Sequence, residues 1–505
     1  MSLDSPPMTA TSSSGQRGIG ALAAYLPHWR LQRSAITAVL GSSAGKGTRT
    51  VASYDEDAVT MAVEAARRAT RGGADVDALW FASTTGPYAE KTAAPILHAA
   101  LRLDRDVPAA DAGPGLRGSA AALRSALRST DPAVLVAAGD VRTGPAGSTE
   151  EKGGGDAGAA VLVSDGTSIP LVAELVGTAS ATQEFLDRWR APGELRTRAW
   201  EERFGQQRYD DLAARAWDAA LKDAGLDVDQ VARVAISAPH ARAGAPLAKR
   251  LGAARVDLAD RLEGAVGFAG AAHPLVLLAD LVEQAAPGQV VALVALADGA
   301  DVFLFRRTDV SLGPVPTVSE QVSGGDDSLP YAKYLAWRGV LPMQPPNRPE
   351  PARMSASAAE RRLDWKYGFV GSKDRDSGAL HLPPARVSFV GGAVDDMDPA
   401  PMADVPATVA TFTVDSLAYS PSPPIVFAVC DFEGGGRLPV ELTDVKADQV
   451  SIGMGVEMTF RRLNAADGIV NYFWKARPAG PGSPAADAPA ADAPAAEAKS
   501  TNGEA

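Results

Sequence analysis

The stretch Asp75-Val76-Asp77-Ala78-Leu79-Trp80-Phe81-Ala82-Ser83 decides the fold, because it recurs. A second version, Asp227-Val228-Asp229 followed by the apolar run Val231 to Ile236 and Ser237, stands 152 residues later. Each is preceded by a stretch of helical composition: Asp57 to Arg68 (DAVTMAVEAARR) and Tyr209 to Asp223 (YDDLAARAWDAALKD). Further on, small-residue helices open at Gly118-Ser119-Ala120-Ala121-Ala122-Leu123 and at Gly270-Ala271-Ala272-His273-Pro274-Leu275, again 152 residues apart. Each leads into two strand-like runs, Ala133 to Ala138 with Ala159 to Val163, and Val290 to Leu296 with Val302 to Phe305. Short continuous apolar runs alternating with Ala-rich helices predict an α/β fold whose strands are buried on both faces. The four elements recurring in order predict a tandem duplication over residues 18–308, with halves 18–166 and 167–308.

Composition bounds what such a body does. The chain has 505 residues, 46% hydrophobic and 22% charged, so it is long enough for two to four globular domains. Its 49 Lys and Arg against 61 Asp and Glu give a net charge of -12, which argues against nucleic acid and against a polybasic membrane surface as partners. An anionic ligand must then be held by local basic groups. A single cysteine, Cys430, excludes a disulfide framework, a Cys-based zinc site within one chain and an iron-sulfur cluster. Residues 1–17 are rich in Ser, Thr and Pro without a signal-peptide pattern, and the longest apolar run, Val290 to Ala297, is far below the roughly 20 residues that span a bilayer. A soluble cytoplasmic protein is the expectation. Gly153-Gly154-Gly155 and Gly434-Gly435-Gly436 fit neither GxGxxG nor a P-loop, so nucleotide binding is not indicated.

After Arg307 the texture changes. Residues 309–328 read as a Gly, Ser, Pro and Asp linker, and 329–395 as a region holding a short helix, Tyr331 to Trp337, and the Pro-rich Leu341 to Pro351. Within 396–478 come the strand-like runs Thr408 to Val414, Ile425 to Phe432, Leu438 to Leu442, Val456 to Arg461 and Ile469 to Trp474. Turn signals separate them, and this spacing predicts a small closed OB-like barrel. Residues 479–505, low in complexity and rich in Ala, Pro and Asp, are expected to be disordered, as are 1–17.

Several motifs resemble the hydroxymethylglutaryl-CoA synthase branch of the thiolase superfamily. They are Gly20-Ala21-Leu22-Ala23-Ala24-Tyr25-Leu26-Pro27, Tyr54-Asp55-Glu56-Asp57-Ala58-Val59-Thr60-Met61-Ala62, Pro87-Tyr88-Ala89 and Gly155-Asp156-Ala157-Gly158-Ala159-Ala160. The resemblance implies two halves packed as a five-layered αβαβα body. The C-terminal region resembles the DUF35 family, an OB-fold partner of thiolase-like enzymes, through Tyr331-Ala332-Lys333-Tyr334-Leu335, Phe432-Glu433-Gly434-Gly435-Gly436-Arg437, Leu442-Thr443-Asp444, Val456-Glu457-Met458-Thr459-Phe460 and Tyr472-Phe473-Trp474-Lys475.

In those synthases a cysteine at the N-terminus of the buried helix forms the acyl-enzyme. Counted from Asp111, its position here is Leu116, or Gly115 with a shift of one. Neither can attack a thioester. By the same resemblance the general-base glutamate falls on Thr84, the histidine that positions the acyl group on Ser237, and the oxyanion-region asparagine on Phe268. Losing thiol, base, histidine and amide together removes activation and oxyanion stabilisation. DUF35 proteins usually carry a zinc ribbon of two Cys-x-x-Cys pairs. Here the pairs map to Asp374 with Ser377 and to Ser388 with Gly391, so no metal is expected.

Three residues near the implied pocket retain useful chemistry: Tyr88, His240 and His273. Any of them could serve as the base of a retro-aldol cleavage of a 3-hydroxyacyl-CoA, which needs no acyl-enzyme, and each reads equally as a packed structural residue. His28, His98 and His381 are singletons with no such context. Arg242, Lys249 and Arg250 could meet coenzyme A phosphates or form a solvated helix face. Leu275, Leu278 and Leu281 are core packing. No bound cofactor is expected, with a coenzyme A thioester as substrate or ligand. Three functions remain open: a non-condensing subunit working with a separate thiolase-like protein, a retro-aldol lyase, and a true synthase. The resemblance implies a homodimer or such a heteromer.

Overall fold

In the first half of the body, the computed structural model, which describes residues 16–480 apart from 72, 241 and 252–255, places strand β1 (Gly18–Tyr25), helix α1 (Ala58–Thr70), β2 (Ala78–Ala82), β3 (Ala109–Asp111), α2 (Gly118–Ala126), β4 (Ala133–Asp140) and β5 (Ala157–Ser164). The second half supplies β6 (Ala173–Ala181), α3 (Glu202–Ala224), β7 (Val231–Ser237), β8 (Asp257–Leu258), α4 (His273–Gln284), β9 (Val290–Leu296) and β10 (Ala300–Arg307). Apart from Gln16, Arg17, Ala479 and Gly480, the two ends expected to be disordered lie outside the described residues.

The duplication is visible in the pairing. β1 runs antiparallel to β5, β5 antiparallel to β4, and β4 parallel to β2, which is parallel to β3. The second half repeats this order: β6 antiparallel to β10, β10 to β9, then β9 parallel to β7 and β7 to β8. Only Gly18 and Ile19 on β1, paired with Glu174 and Ala173 on β6, join the halves into one ten-stranded sheet. Helix α1 packs on β5, β4 and β1, and α3 on β6 and β10. Between the halves lie α2 and α4, touching each other and strands of both. This is the five-layered thiolase arrangement. Helix α4 is buried along its length, so Leu275, Leu278 and Leu281 are core. The two Asp-Val-Asp landmarks serve different ends: Asp77 accepts from the Ala133 amide, whereas Asp227 caps a single 3-10 turn.

The chain divides into two compact units. One runs to Ala52 and from Glu56 to Val340; the other comprises Ser53–Asp55 and the chain from Leu341 onward. Residues 309–340, read from sequence as a linker and the start of the ribbon region, therefore belong to the first unit. The reason is a buried ion cluster. Helix α5 (Tyr331–Trp337) sends the Tyr331 hydroxyl to Glu151 at 2.9 Å, while the Tyr334 hydroxyl accepts from Arg49 at 3.1 Å. Just beyond the helix, Arg338 pairs with Asp156. Asp156 is wholly buried and also accepts from Arg49 at 3.2 Å, the Arg142 amide at 2.7 Å and the Ala52 amide at 2.8 Å.

In the second unit a three-stranded ribbon, β11 (Val370–Asp374), β12 (Leu380–His381) and β13 (Met397–Pro401), has β11 at its centre. A closed five-stranded barrel follows: β14 (Ala407–Asp415), β15 (Ile425–Phe432), β16 (Arg437–Leu442), β17 (Gly455–Ala466) and β18 (Ile469–Pro478). Two buried cations on its strands are neutralised by carboxylates. Lys475 meets Asp55 at 3.1 Å and Glu441 at 2.5 Å, and Arg461 meets Asp55 at 3.3 Å and Asp444 at 2.5 Å. Cys430 is buried on β15, and burial pushes its thiol up to about 12, which makes it an inert core residue.

Replacing Asp156 with Ala would strand two buried guanidinium groups. The first unit is expected to lose about 3–5 kcal/mol, read as a lower urea midpoint, while Glu90→Ala on the exposed surface leaves that midpoint nearly unchanged.

Candidate functional site

Three of the four positions where the family would carry its chemistry converge. Leu116, in the turn before α2, Ser237, at the end of β7, and Phe268, before α4, line one cavity together with Pro274 and Leu296. Its volume is about 10 Å³, room for roughly one water. By the resemblance, a thiolate and an amide would stand at the positions of Leu116 and Phe268. The fourth position, Thr84, is tied to the same turn through a buried carboxylate. Asp140, at the end of β4, accepts from the Ser83 hydroxyl (3.0 Å), the Thr84 amide (2.7 Å) and hydroxyl (2.9 Å), the Thr85 hydroxyl (2.9 Å) and the Ala271 amide (2.6 Å). Gly270 is required there: its φ is +56°, and a Cβ would lie 2.0 Å from the Asp140 carboxylate.

Arginines surround Thr84. Arg142 donates to its hydroxyl at 3.0 Å and Arg190 to its carbonyl at 2.9 Å. Arg188 pairs with Glu150 and donates to the Pro239 carbonyl at 2.5 Å. Arg188 and Arg190 lie in the excursion between β6 and α3, which carries a two-residue hairpin, Arg188–Trp189 against Arg198–Ala199. This excursion therefore bonds to the loops after β2 and β7 and to the short helix Thr149–Gly153.

The two histidine candidates are poorly placed as bases. Nδ1 of His240 accepts the Ala243 amide at 3.2 Å, which leaves its proton on Nε2, 3.8 Å from Asp187. Burial lowers the His240 pKa against the opposing pull of Asp187, and burial raises that of Asp187. Nδ1 of His273 likewise accepts the Ala269 amide, at 3.4 Å, and the ring stands edge-on to Phe268. Complete burial, assisted by the Arg261 guanidinium, holds His273 down at about 3, so it is neutral and has no lone pair free. Tyr88 lies half-buried on the loop that carries Thr84 and does not line the cavity.

The basic candidates are dispersed over an exposed surface. Arg242 pairs with Glu202 at 3.5 Å and Arg250 with both oxygens of Asp218 at 2.8 Å, each acid being on α3. Lys249 is exposed on the helix Ala245–Leu251.

The four ribbon positions come together without metal-binding chemistry. The Ser377 hydroxyl donates to Asp374 at 2.7 Å, and Ser388 also hydrogen-bonds to that carboxylate. Together they hold Asp374 at about 2. Gly391 sits at φ +77° in the turn closed by the Ser388 amide and the Ala393 carbonyl. One carboxylate, two hydroxyls and a glycine do not fit zinc, which takes thiolate and imidazole. Among the described residues no group of three or more His, Cys, Asp or Glu could hold a metal ion.

Comparison with known proteins agrees with this architecture. Residues 401–461 match the family model of the ChsH2 C-terminal OB-fold domain. The body is 29% identical over 294 residues to the hydroxymethylglutaryl-CoA synthase of Thermococcus gammatolerans, covering 56% of this chain and 83% of that protein. To the same enzyme of Methanosarcina barkeri it is 27% identical over 345 residues, covering 64% and 98%. Over its thiolase-fold body the chain resembles hydroxymethylglutaryl-CoA synthase, and the barrel that follows matches a ChsH2-type OB-fold domain. Solved structures support the fold of this synthase-like body. The HMG synthase of the curacin biosynthetic pathway superposes with a TM-score of 0.55 at 19% identity, covering 64% of this chain and 88% of that one. The 3-oxoacyl-(acyl carrier protein) synthase III of Pseudomonas aeruginosa gives 0.52 at 18%, covering 59% and 100%. No helix among the described residues is long and apolar enough to cross a membrane.

Sequence reasoning missed Asp140, Arg142, Glu150, Asp187 and Arg188. Asp140 alone had a local signal, an acidic residue closing a buried apolar strand.

Two outcomes follow from the titrating groups. Because the folded His273 pKa lies below its ordinary value of 6.5, the unfolded chain binds the extra proton first. His273 thus contributes stability that is whole above pH 6.5 and is lost as pH falls toward 3. Its imidazole resonances should not titrate between pH 7 and 4, and His273→Leu should flatten the acid side of the stability profile. In the ribbon, EDTA should leave the thermal transition unchanged, whereas Asp374→Ala should speed proteolysis between β11 and β13.

Proposed function

We propose that this chain is a non-condensing, acyl-CoA-handling subunit that works with a separate thiolase-like protein. The observation that carries this reading is the cavity of about 10 Å³ beneath Leu116, Ser237 and Phe268. The synthase-like architecture is retained while the space for its nucleophile is filled by apolar side chains. Claisen condensation through an acyl-enzyme needs an attacking thiolate, and Cys430, the sole thiol, is buried in the barrel of the other unit. The ChsH2-type barrel and the DUF35 resemblance support a role beside a thiolase-like partner, which would supply the missing cysteine. On this reading the protein binds a coenzyme A thioester, holds no resident cofactor and acts in the cytoplasm as one component of a heteromer.

A second reading, retro-aldol cleavage of a 3-hydroxyacyl-CoA, is favoured by one observation. Both histidine lone pairs are occupied, but Tyr88 stays half-buried on the loop beside the Arg-lined Thr84 position. There Tyr88 could serve as the base for the hydroxyl proton, with a guanidinium opposite the thioester oxygen.

The deciding experiment is a tagged pull-down from native cells with the mass of the intact complex. A stoichiometric thiolase-like protein is the expected result. A homodimer that cleaves 3-hydroxyacyl-CoA unaided, with activity lost in Tyr88→Phe, would replace the first reading by the second. Incubation with radiolabelled acetyl-CoA should leave no acetyl-enzyme; a labelled protein would restore the synthase reading.

A further inference from the structure

An open groove of the second unit lies outside the synthase-like body and contains none of the four mapped zinc-ribbon positions. Strand β12 forms the outer edge of the ribbon, and opposite it stands the β15–β16 hairpin of the barrel. Between them is a groove of about 570 Å³, within the range of sites that take small-molecule ligands. Its walls are apolar: Leu382 and Phe389 on one side, Phe432 and the glycine backbone of the hairpin on the other. Gly436, at φ +87°, keeps the hairpin close to the ribbon, because a Cβ there would lie 2.9 Å from Leu382.

Two features of this groove are costly without an occupant. His381 is only 6% exposed, and its Nε2 is buried with no hydrogen-bond partner, which leaves a desolvated polar atom uncompensated. Phe389 packs edge-on against the His381 ring, with centroids 4.5 Å apart, yet is 74% exposed. The charges at the rim define what fits. Arg437 donates through Nε and Nη2 to the two oxygens of Asp431, at 2.5 and 2.7 Å, so the cation and the anion cancel. A charged ligand would find no free counter-charge among these groups, whereas a neutral one would lose nothing by desolvation.

We propose that the groove between β12 and the β15–β16 hairpin binds a neutral, mainly apolar small molecule that carries one hydrogen-bonding oxygen, held by His381 and covered by Phe389. The occupant is set by charge complementarity: apolar walls, a self-neutralised rim and one orphaned imidazole nitrogen. A hydroxyl or carbonyl oxygen at the buried end meets Nε2, and the hydrocarbon body lies between Phe389 and Phe432. This site is independent of the proposed function, since it involves no residue of the synthase-like body.

The test uses the full chain and titration calorimetry with 1-decanol, decane-saturated buffer, decanoate and decylammonium as probes. Wild type should bind decanol saturably and at least tenfold more tightly than either charged probe. His381→Phe keeps the apolar volume and should abolish the preference for decanol over decane. Phe389→Ala, at an exposed position where folding is not at stake, should weaken decanol at least fivefold. Equal binding of decanoate or decylammonium overturns the proposal, as does decanol binding that neither substitution changes. Absence of saturable decanol binding overturns it too. If self-association in sedimentation is abolished by Phe389→Ala and decanol does not compete, the groove belongs to a second copy instead.

Discussion

A single buried carboxylate, Asp140, fixes what the synthase-like body can present at its centre. Burying an anion is tolerable only when its lone pairs are filled, and five donors from two segments fill them, with the Arg142 guanidinium as the neighbouring cation. The consequences run outward from that requirement. Residues 83–85 must offer hydroxyls and an amide, and residue 270 must lack a side chain. A glutamate at position 84 would set a second anion against Asp140, where like charges cannot both ionise cheaply. Threonine at that position is thus part of a load shared with Arg142 and Arg190.

At the positions where the resemblance would put reactive or metal-binding groups, the two units hold themselves together by opposite means. In the body, a leucine and a phenylalanine fill the volume and leave a space of one water's size. In the ribbon, polar side chains make the ties, with Asp374 receiving the hydroxyls of Ser377 and Ser388. The first arrangement rests on packing. The second keeps the ribbon's crossing geometry through hydrogen bonds that need no ion.

The duplicated sheet was legible because its signal is local and periodic: fully buried strands read as unbroken apolar runs, and small residues mark the inner helices. Strand β6 was not legible, since Glu174, Thr178 and Ser180 interrupt its apolar pattern and its place is set by β10 across the sheet. Nor was the helix Val318–Ser323, which sits in a Gly- and Ser-rich stretch and declares itself only through the Thr317–Glu320 capping box. At the site, Leu116, Ser237 and Phe268 could be located by resemblance to a family. The arginine shell could not, because Arg188 and Arg190 reach Glu150 and Thr84 across long loops with no recurring spacing.

Asp55 carries a consequence for how this gene can be rearranged. The barrel unit is discontinuous in sequence, for Ser53–Asp55 are encoded nearly three hundred codons before the rest of it. Asp55 is a counter-ion of both Lys475 and Arg461, two cations with no exposure to solvent. Splitting the reading frame after Val340 would give a downstream product with two interior cations short of an anion, an imbalance worth several kcal/mol. Glu441 and Asp444 would remain as partners, so separating the two coding regions at that point carries an electrostatic cost inside the barrel.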